Sequence, residues 1–313
     1  MRVRVGFSGG LDSTVLLHLL VAERASTGMV LSALHVHHGL NPQADAWARH
    51  CRAVCRQFEV PFQLRRVQVK RAPRTSLEEE ARTARYAALG AQRADVIGLA
   101  HHADDQAETL LLQLLRGAGP KGLAAMAPLK PLVGADLGKH AGKNAGTNAV
   151  RPMLLWRPLL DCTRAALEAY AQQHQLAWID DDSNLDVRFK RNFVRSQVMP
   201  VLADGFPAPV TTLARAARHQ AEAASLADAL ADIDLTGTRR GTGLEIAPLL
   251  VLDDVRLKNL MRRWLAEHAL RQPSEARLLA LVRALRQSSN DTRLAWQHEG
   301  RVVRRTKGLL HCG

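Results

Sequence analysis

The sequence predicts an α/β domain built on a parallel sheet, followed by a smaller, mainly α-helical domain. Three observations predict it. Over the first two hundred residues, short apolar runs alternate with longer amphipathic ones. The short runs are continuously apolar instead of alternating, as strands covered on both faces are. Beyond the break at Gly205, Pro207 and Pro209 the pattern turns almost wholly to helical periods. A length of 313 residues fits two domains of roughly 100–200 residues each, and the division is placed between 1–205 and 206–313.

Arg2–Phe7 reads as the first strand and Ser13–Arg24 as the helix after it. Val30–His37 is the second strand, and Gln43–Glu59 a helix with Ala46, Ala53, Val54 and Phe58 among its apolar positions. Phe62–Val69 and Asp95–Ala100 are further strands, separated by a helix across Ser76–Ala94 and followed by one over Asp104–Arg116. Pro131–Val150 is rich in Gly, Ala, Asn and Lys and cannot bury a core, so a mobile surface loop is expected there. Arg151–Leu160 returns to order, Thr163–His174 is a helix, and another runs from about Arg191 to Met199 and stops near Pro200. After the break, helices are expected over Val210–Ala231, Asp253–Ala269 and Glu275–Arg286, the last introduced by Pro273–Ser274. Arg293–Leu310 suits a terminal strand pair.

Lys and Arg outnumber Asp and Glu by 43 to 30, a net charge of +13. Such an excess points to a polyanionic partner, most often nucleic acid. It is shared between the two parts, +7 up to residue 205 and +6 beyond it, so it is no basic tail. Hydrophobic residues at 47% suffice for ordinary cores. No apolar run reaches the roughly 18–20 residues that span a bilayer, so no membrane partner is expected. MRVRVGFSGG enters a strand directly, without the pattern of a leader. The four cysteines (Cys51, Cys55, Cys162, Cys312) are too scattered for a disulfide scaffold and are expected as reduced thiols in the cytoplasm.

The strongest local signal is Phe7-Ser8-Gly9-Gly10-Leu11-Asp12-Ser13, directly after a strand and before a helix. Two glycines let the backbone turn tightly and bring N–H groups to an anion; Ser8, Ser13 and the helix N-terminus add donors. Asp12 would repel a phosphate unless Mg²⁺ lay between them, so Asp12 is the candidate metal ligand. The plain alternative is a Gly-rich turn with Asp12 or Ser13 as an N-cap. The loop is neither GxxxxGK[ST] nor GxGxxG, which removes the P-loop NTPase and dinucleotide readings. A second cluster lies in two segments, His35-Val36-His37-His38-Gly39-Leu40 at the end of a strand and His101-His102-Ala103-Asp104-Asp105-Gln106-Ala107-Glu108-Thr109 at the start of a helix. Capped helices with satisfied histidines, a zinc site, and an ATP, Mg²⁺ and substrate site all compete for it. The spacing suits no compact tetrahedral zinc set, and the company of the phosphate loop favours the third reading.

The SGGxDS loop resembles that of the PP-loop ATPases, of adenine-nucleotide alpha-hydrolase-like, Rossmann-like fold, which split ATP between the α and β phosphates. HVHHGLNPQADAWARHC, ARTARYAAL, HHADDQAETLLLQLLRGAGPKGLAAM and DDDSNLDVRFKRNFVR, in that order, are similar to the tRNA(Ile)-lysidine synthetase family. The resemblance implies ATP-dependent attachment of L-lysine to C2 of the wobble cytidine of tRNA(Ile) with a CAU anticodon, through an adenylated tRNA. It implies ATP held by Ser8, Gly9, Gly10, Leu11, Asp12, Ser13, Val36 and His37, with catalytic roles for Asp12, His101, Asp104, Asp105 and Glu108. Arg82 and Arg85 share one helix face, as do Arg191, Asn192 and Arg195 on another helix; these are candidates for tRNA phosphate, together with Arg262, Arg304 and Arg305 in the C-terminal part. Arg82 has an even alternative as a solvated partner of Glu78 or Glu79. Asn184, near Asn192 in sequence, strengthens the Arg191 and Arg195 reading. Two rival readings stay open, a PP-loop tRNA thiolase and a non-catalytic nucleotide-gated RNA-binding protein. The absence of any CxxC weighs against the first. A homodimer is a further option for which no residue argues.

Overall fold

The computed structural model describes residues 1–39, 41–68, 77–91, 94–132, 153–180, 186–287 and 294–313. The expected loop over 131–150 lies almost wholly outside them, as do Leu40, Asn184, Arg293 and the side chains of Glu78 and Glu79. The chain forms two compact units, Met1–Ala221 and Glu222–Gly313.

In the first unit a six-stranded sheet carries the strands β1 (Arg2–Gly6), β2 (Val30–His37), β3 (Phe62–Arg66), β4 (Val96–Gly98), β5 (Leu129–Pro131) and β6 (Leu154–Trp156). Their order is β3-β2-β1-β4-β6-β5, parallel except for β5, which pairs antiparallel to β6. Period-two alternation sends Val3, Val5, Leu31, Ala33 and Val96 to one face and Leu34, Ile97, Leu99 and Leu155 to the other. The first face is covered by α1 (Leu11–Thr27), α2 (Ala44–Gln57) and α6 (Arg164–Gln173), the second by α3 (Leu77–Gly90) through Tyr86 and Leu89. Two covered faces explain why the strands read as continuously apolar. Helices α4 (Ala103–Leu114) and the short α5 (Pro120–Leu123) follow β4.

One expected boundary is corrected. The helix that begins at Lys190 does not stop at Pro200. It runs as α7 (Lys190–Phe193), widens to a π-helical turn over Val194–Val198, and resumes as α8 (Met199–Gly205). Met199 N–H bonds to Val194 O, one residue further back than in an α-helix. The wide turn lets Pro200, which lacks an N–H, enter as a first-turn residue of the resumed helix.

Helix α9 (Pro209–Thr238) crosses the division between the units. The break expected at 205/206 coincides with a turn between two helices; the structure divides at 221/222 instead. The reason is packing: the first three turns of α9 belong to the first unit, where Ala214 and Ala217 are buried and Arg218 meets Asp161 at 2.9 Å.

The second unit holds α10 (Ile246–Val251), α11 (Asp254–Glu267) and α12 (Glu275–Gln287) against a five-stranded antiparallel sheet. Its strands are β7 (Arg239–Arg240), β8 (Gly243–Glu245), β9 (Ala295–His298), β10 (Arg301–Thr306) and β11 (Leu309–Cys312), in the order β7-β8-β11-β10-β9. The sheet enlarges the expected terminal strand pair, since β7 and β8 are too short to show a period. Trp264, Leu260, Leu281 and Leu310 centre its core. Asp253 caps α11 by accepting from Val255 and Arg256 N–H at 2.8 and 2.9 Å. Among the described residues no helix is long and apolar enough to cross a membrane.

Candidate active site

From β1 the chain winds outward through β2 and β3, then returns to the far side of β1 with β4. The strand order therefore reverses between β1 and β4, and in open α/β sheets ligands bind beyond the strand ends at such a point. The two motif-bearing loops leave the sheet there, Phe7–Gly10 after β1 and Leu99–His102 after β4. They border a cleft of about 680 Å³.

The phosphate loop is a closed hydrogen-bonded turn. Gly9 N–H donates to Ser13 Oγ at 3.2 Å, Ser13 Oγ donates to Gly10 O at 3.0 Å, and the Ser8 and Ser13 hydroxyls lie 3.0 Å apart. Gly9 sits at φ +88, and a Cβ there would stand 2.8 Å from Cys51 Sγ, so the position requires glycine. Gly9 O accepts from Ile179 N–H at 2.9 Å, which ties the loop to the segment before Asp180. The first helical bond of α1 runs from Thr14 N to Gly10 O, leaving the N–H groups of Leu11, Asp12 and Ser13 outside the ladder. Those groups and the helix dipole face the cleft as an anion seat.

The cleft wall gathers Ser8, Gly10, Leu11, Asp12, Ser13, Val36, His37, Arg85, His101, Asp105 and Arg195 of the predicted residues. Gly9 stands behind the wall and shapes it. His35 and His37 are both buried on one face of β2, as strand alternation requires.

Asp12 Oδ1 is buried and has no hydrogen-bond partner. Its Oδ2 faces His102 Nε2 at 3.6 Å and Arg164 at 3.9 Å. A carboxylate held by one oxygen and bare at the other suits a hard cation at the phosphates. Among the described residues no three His, Cys, Asp or Glu side chains converge on a metal position, so such an ion would draw its remaining oxygens from phosphate and water.

His101 and His102 are neighbours in opposite states. Burial and the charges of Arg157, Arg85, Arg191 and Arg82 push His101 well below the usual imidazole range, and it stands neutral. Burial works against a charge on His102 too, but the hydrogen bonds of Asp104 and Asp12 and the charge of Asp105 outweigh it and push its pKa up to about 10. Asp104 and Glu108 do not line the cleft. Asp104 Oδ2 accepts from Arg164 N–H at 2.8 Å. Glu108, at 1% exposure, accepts from Arg191 Nε at 2.7 Å and Arg195 Nε at 2.6 Å. It is a buried anchor for two arginines, and Asp105 Oδ1 meets the same pair at 3.3 and 3.5 Å.

Other predicted residues stand apart from this centre. Arg82 is exposed and lies over the Tyr86 ring at 5.4 Å. Asn192 donates to Asp186 O at 3.0 Å. In the second unit Arg262 and Arg304 are exposed; Arg305 lies on the opposite face of β10 from Arg304, the face that buries Val303. Sequence reasoning missed Arg164 and singled out His101 without His102. Arg164 comes from a segment without a motif, whereas His102 lay inside one, and only its 1% exposure reveals its role. Cys51 and Cys55 are buried, and burial pushes both thiols up to about 12.

Residues 1–202 match the PP-loop domain family, and residues 244–311 match the TilS substrate binding domain. The chain is 45% identical over 280 residues to a tRNA(Ile)-lysidine synthase of Chromobacterium violaceum, covering 89% of this chain and 60% of that protein. It is 44% identical over 318 residues to a tRNA(Ile)-lysidine synthase of Pseudomonas fluorescens, covering 98% of this chain and 67% of that protein. It thus spans 60% to 67% of the length of these relatives. Among solved structures, the U34-tRNA thiolase NcsA of Methanococcus maripaludis, with its 4Fe–4S cluster, shares the fold at a TM-score of 0.53 and 16% identity, over 71% of this chain and 73% of that one.

Proposed function

Since the chain belongs to the tRNA(Ile)-lysidine synthase family, we propose that it joins L-lysine to C2 of the wobble cytidine in the CAU-anticodon isoleucine tRNA, in the cytoplasm. ATP is consumed, and AMP and pyrophosphate are released. The observation that carries this reading is a single cleft that holds both an anion seat, Ser8–Ser13, and a separate carboxylate–arginine–histidine cluster. An adenylating ligase needs both halves, one for the phosphates and one for the amine.

The C2 oxygen of the cytidine attacks the α-phosphorus and pyrophosphate leaves. The ε-amine of lysine then attacks C2, AMP departs with the oxygen, and the amine gives up a proton. The amides of Leu11–Ser13 and the Ser8 and Ser13 hydroxyls hold phosphate, while Val36 and His37 flank the nucleoside. Bare Asp12 Oδ1 would hold Mg²⁺, which when bound offsets phosphate charge. Asp105 faces the cleft and holds the ammonium. The same Asp105 carboxylate takes the proton, since the burial and arginine charges that keep His101 neutral also make it a poor acceptor. Glu108 acts by holding Arg191 and Arg195, and Arg85 and Arg195 offer charge to phosphate from the cleft wall. The base must be unstacked to enter, which suits an anticodon loop better than a duplex. Arg262 and Arg304 supply sequence-independent phosphate contacts.

The sulfur-transfer alternative finds little support beside the phosphate loop, since the Cys51 and Cys55 thiols stay protonated at neutral pH. The test is AMP release from Mg-ATP in the presence of L-lysine, with isoleucine CAU tRNA compared with elongator methionine tRNA. Release with the isoleucine tRNA alone, lost in Asp12→Ala while tRNA binding persists, is expected. Equal release with both tRNAs, or full release from Asp12→Ala, contradicts the reading.

A further inference from the structure

His102 is 1% exposed, and both of its ring nitrogens face carboxylates from two separate segments. Nε2 lies 3.6 Å from Asp12 Oδ2 and 3.7 Å from Asp105 Oδ2; Nδ1 lies 3.4 Å from Asp104 Oδ2. His102 starts α4 in a capping box with Asp105, whose carboxylate accepts the His102 backbone N–H at 3.1 Å, but a cap within α4 does not call for the contact of Nε2 with Asp12 on α1. Nor does Arg164 duplicate it. Arg164 reaches Asp12 Oδ2 only at 3.9 Å, is 38% exposed in its side chain, and commits its Nε to Glu168 at 3.0 Å.

We infer that His102 is a positioning residue, which holds the Asp12 carboxylate by Oδ2 at the wall of the cleft, and which ties the phosphate loop to Asp105. The inference rests on the reading of Asp12 as the Mg²⁺-bearing carboxylate of the proposed ligase. The connection runs on from Asp105 to Arg191 and Arg195, so one buried side chain links the half of the cleft that binds phosphate to the half that binds the amine. Without it, Asp12, Asp104 and Asp105 would face one another as partly buried like charges. Asp12 Oδ2 would then keep Arg164, at 3.9 Å, in place of His102. Carboxylates that ligate metals depend on such supporting contacts for orientation, typically by 10–100-fold in affinity or activity.

Two amide substitutions separate the contacts. The side-chain nitrogen of Gln reaches the place of Nε2, and that of Asn the place of Nδ1. H102Q therefore keeps a donor toward Asp12 and Asp105, and H102N keeps one only toward Asp104. Two readouts apply: the Mg²⁺ concentration at half-maximal binding of a fluorescent ATP analogue, and kcat and KM for tRNA-dependent AMP release. In H102N the Mg²⁺ midpoint should rise and kcat fall, each by about 10–100-fold, with KM for tRNA unmoved. H102Q should regain most of both. Should H102N fail to fold, H102N/D105N neutralises one of the two carboxylates that H102N strands, and the Mg²⁺ midpoint is read on that variant instead. A Mg²⁺ midpoint unchanged in H102N, or shifted alike in H102N and H102Q, overturns the inference. Wild-type protein that binds Mg-ATP yet releases no AMP with tRNA sinks the ligase reading instead, and the Mg²⁺ midpoints still decide the role of His102.

Discussion

Gly9→Ala should damage the phosphate loop in two separable ways. The backbone at Gly9 has φ +88, and a left-handed conformation costs an L-residue roughly 1–2 kcal/mol. The added Cβ would also stand 2.8 Å from Cys51 Sγ and 3.2 Å from Ile179 Cδ1, and overpacking of this kind costs about 1–3 kcal/mol. Together these predict a loss of about 2–5 kcal/mol. At roughly 2–4 °C per kcal/mol for a unit of this size, melting should fall by about 4–20 °C. Cys51→Ala relieves the clash and leaves the dihedral strain untouched. The cycle of Gly9→Ala, Cys51→Ala and the double variant should therefore show a favourable coupling of about 1–2 kcal/mol in urea unfolding. Mg-ATP affinity should fall in Gly9→Ala and stay low in the double variant, because the loop amides are displaced in both. Strict additivity would refute the contact with Cys51. Wild-type ATP affinity in Gly9→Ala would refute the loop as the phosphate seat.

Glu108→Gln leaves Arg191 and Arg195 without their shared charge. Losing one partner of a fully buried pair costs about 3–5 kcal/mol, and the 25% and 33% exposure of the arginine side chains brings this to about 2–3 kcal/mol, read as a lower urea midpoint; a change under about 0.5 kcal/mol would match an ordinary surface site. His102, raised from 6.5 to about 10, contributes stability that is complete below about pH 6.5 and is lost as pH rises toward about 10. Asp104 is raised by burial but lowered on balance by His102 and the Arg164 N–H, so its contribution is lost in acid; urea midpoints from pH 4 to 10 should show both slopes, and H102N should lose the alkaline one. Arg304→Ala should reduce the slope of log affinity for tRNA against log salt by about one, and Arg305→Ala, on the face that buries Val303, by less. Equal slopes for the two variants would refute the assignment of faces.

The architecture was legible where period and punctuation agree. Val30–His37 matches its strand end to end, and the continuously apolar strands imply the two covered faces that the sheet has. The phosphate loop was legible because its residues are consecutive, with the turn, donors and helix start all within seven positions. What sequence could not show is partnership across distance. Glu108 reads as an acid–base candidate until Arg191 and Arg195, more than eighty residues away, are seen to close on it. His101 and His102 are indistinguishable as letters, and their opposite charge states arise from different neighbours, arginines around one and carboxylates around the other. Pro200 reads as a stop because the π-helical turn that admits it has no composition of its own. The C-terminal sheet was half seen, since strands of two and three residues carry no period.

Lysine transfer itself is the most direct test of the account. Radiolabelled L-lysine is incubated with the protein, Mg-ATP and unmodified CAU-anticodon isoleucine tRNA, with elongator methionine tRNA in parallel, and the recovered tRNA is digested to nucleosides. Label confined to a modified cytidine of the isoleucine tRNA, with one AMP released per lysine joined, is the predicted result. AMP release without lysine in the tRNA would contradict the assigned nucleophile, and neither product would contradict the ligase itself.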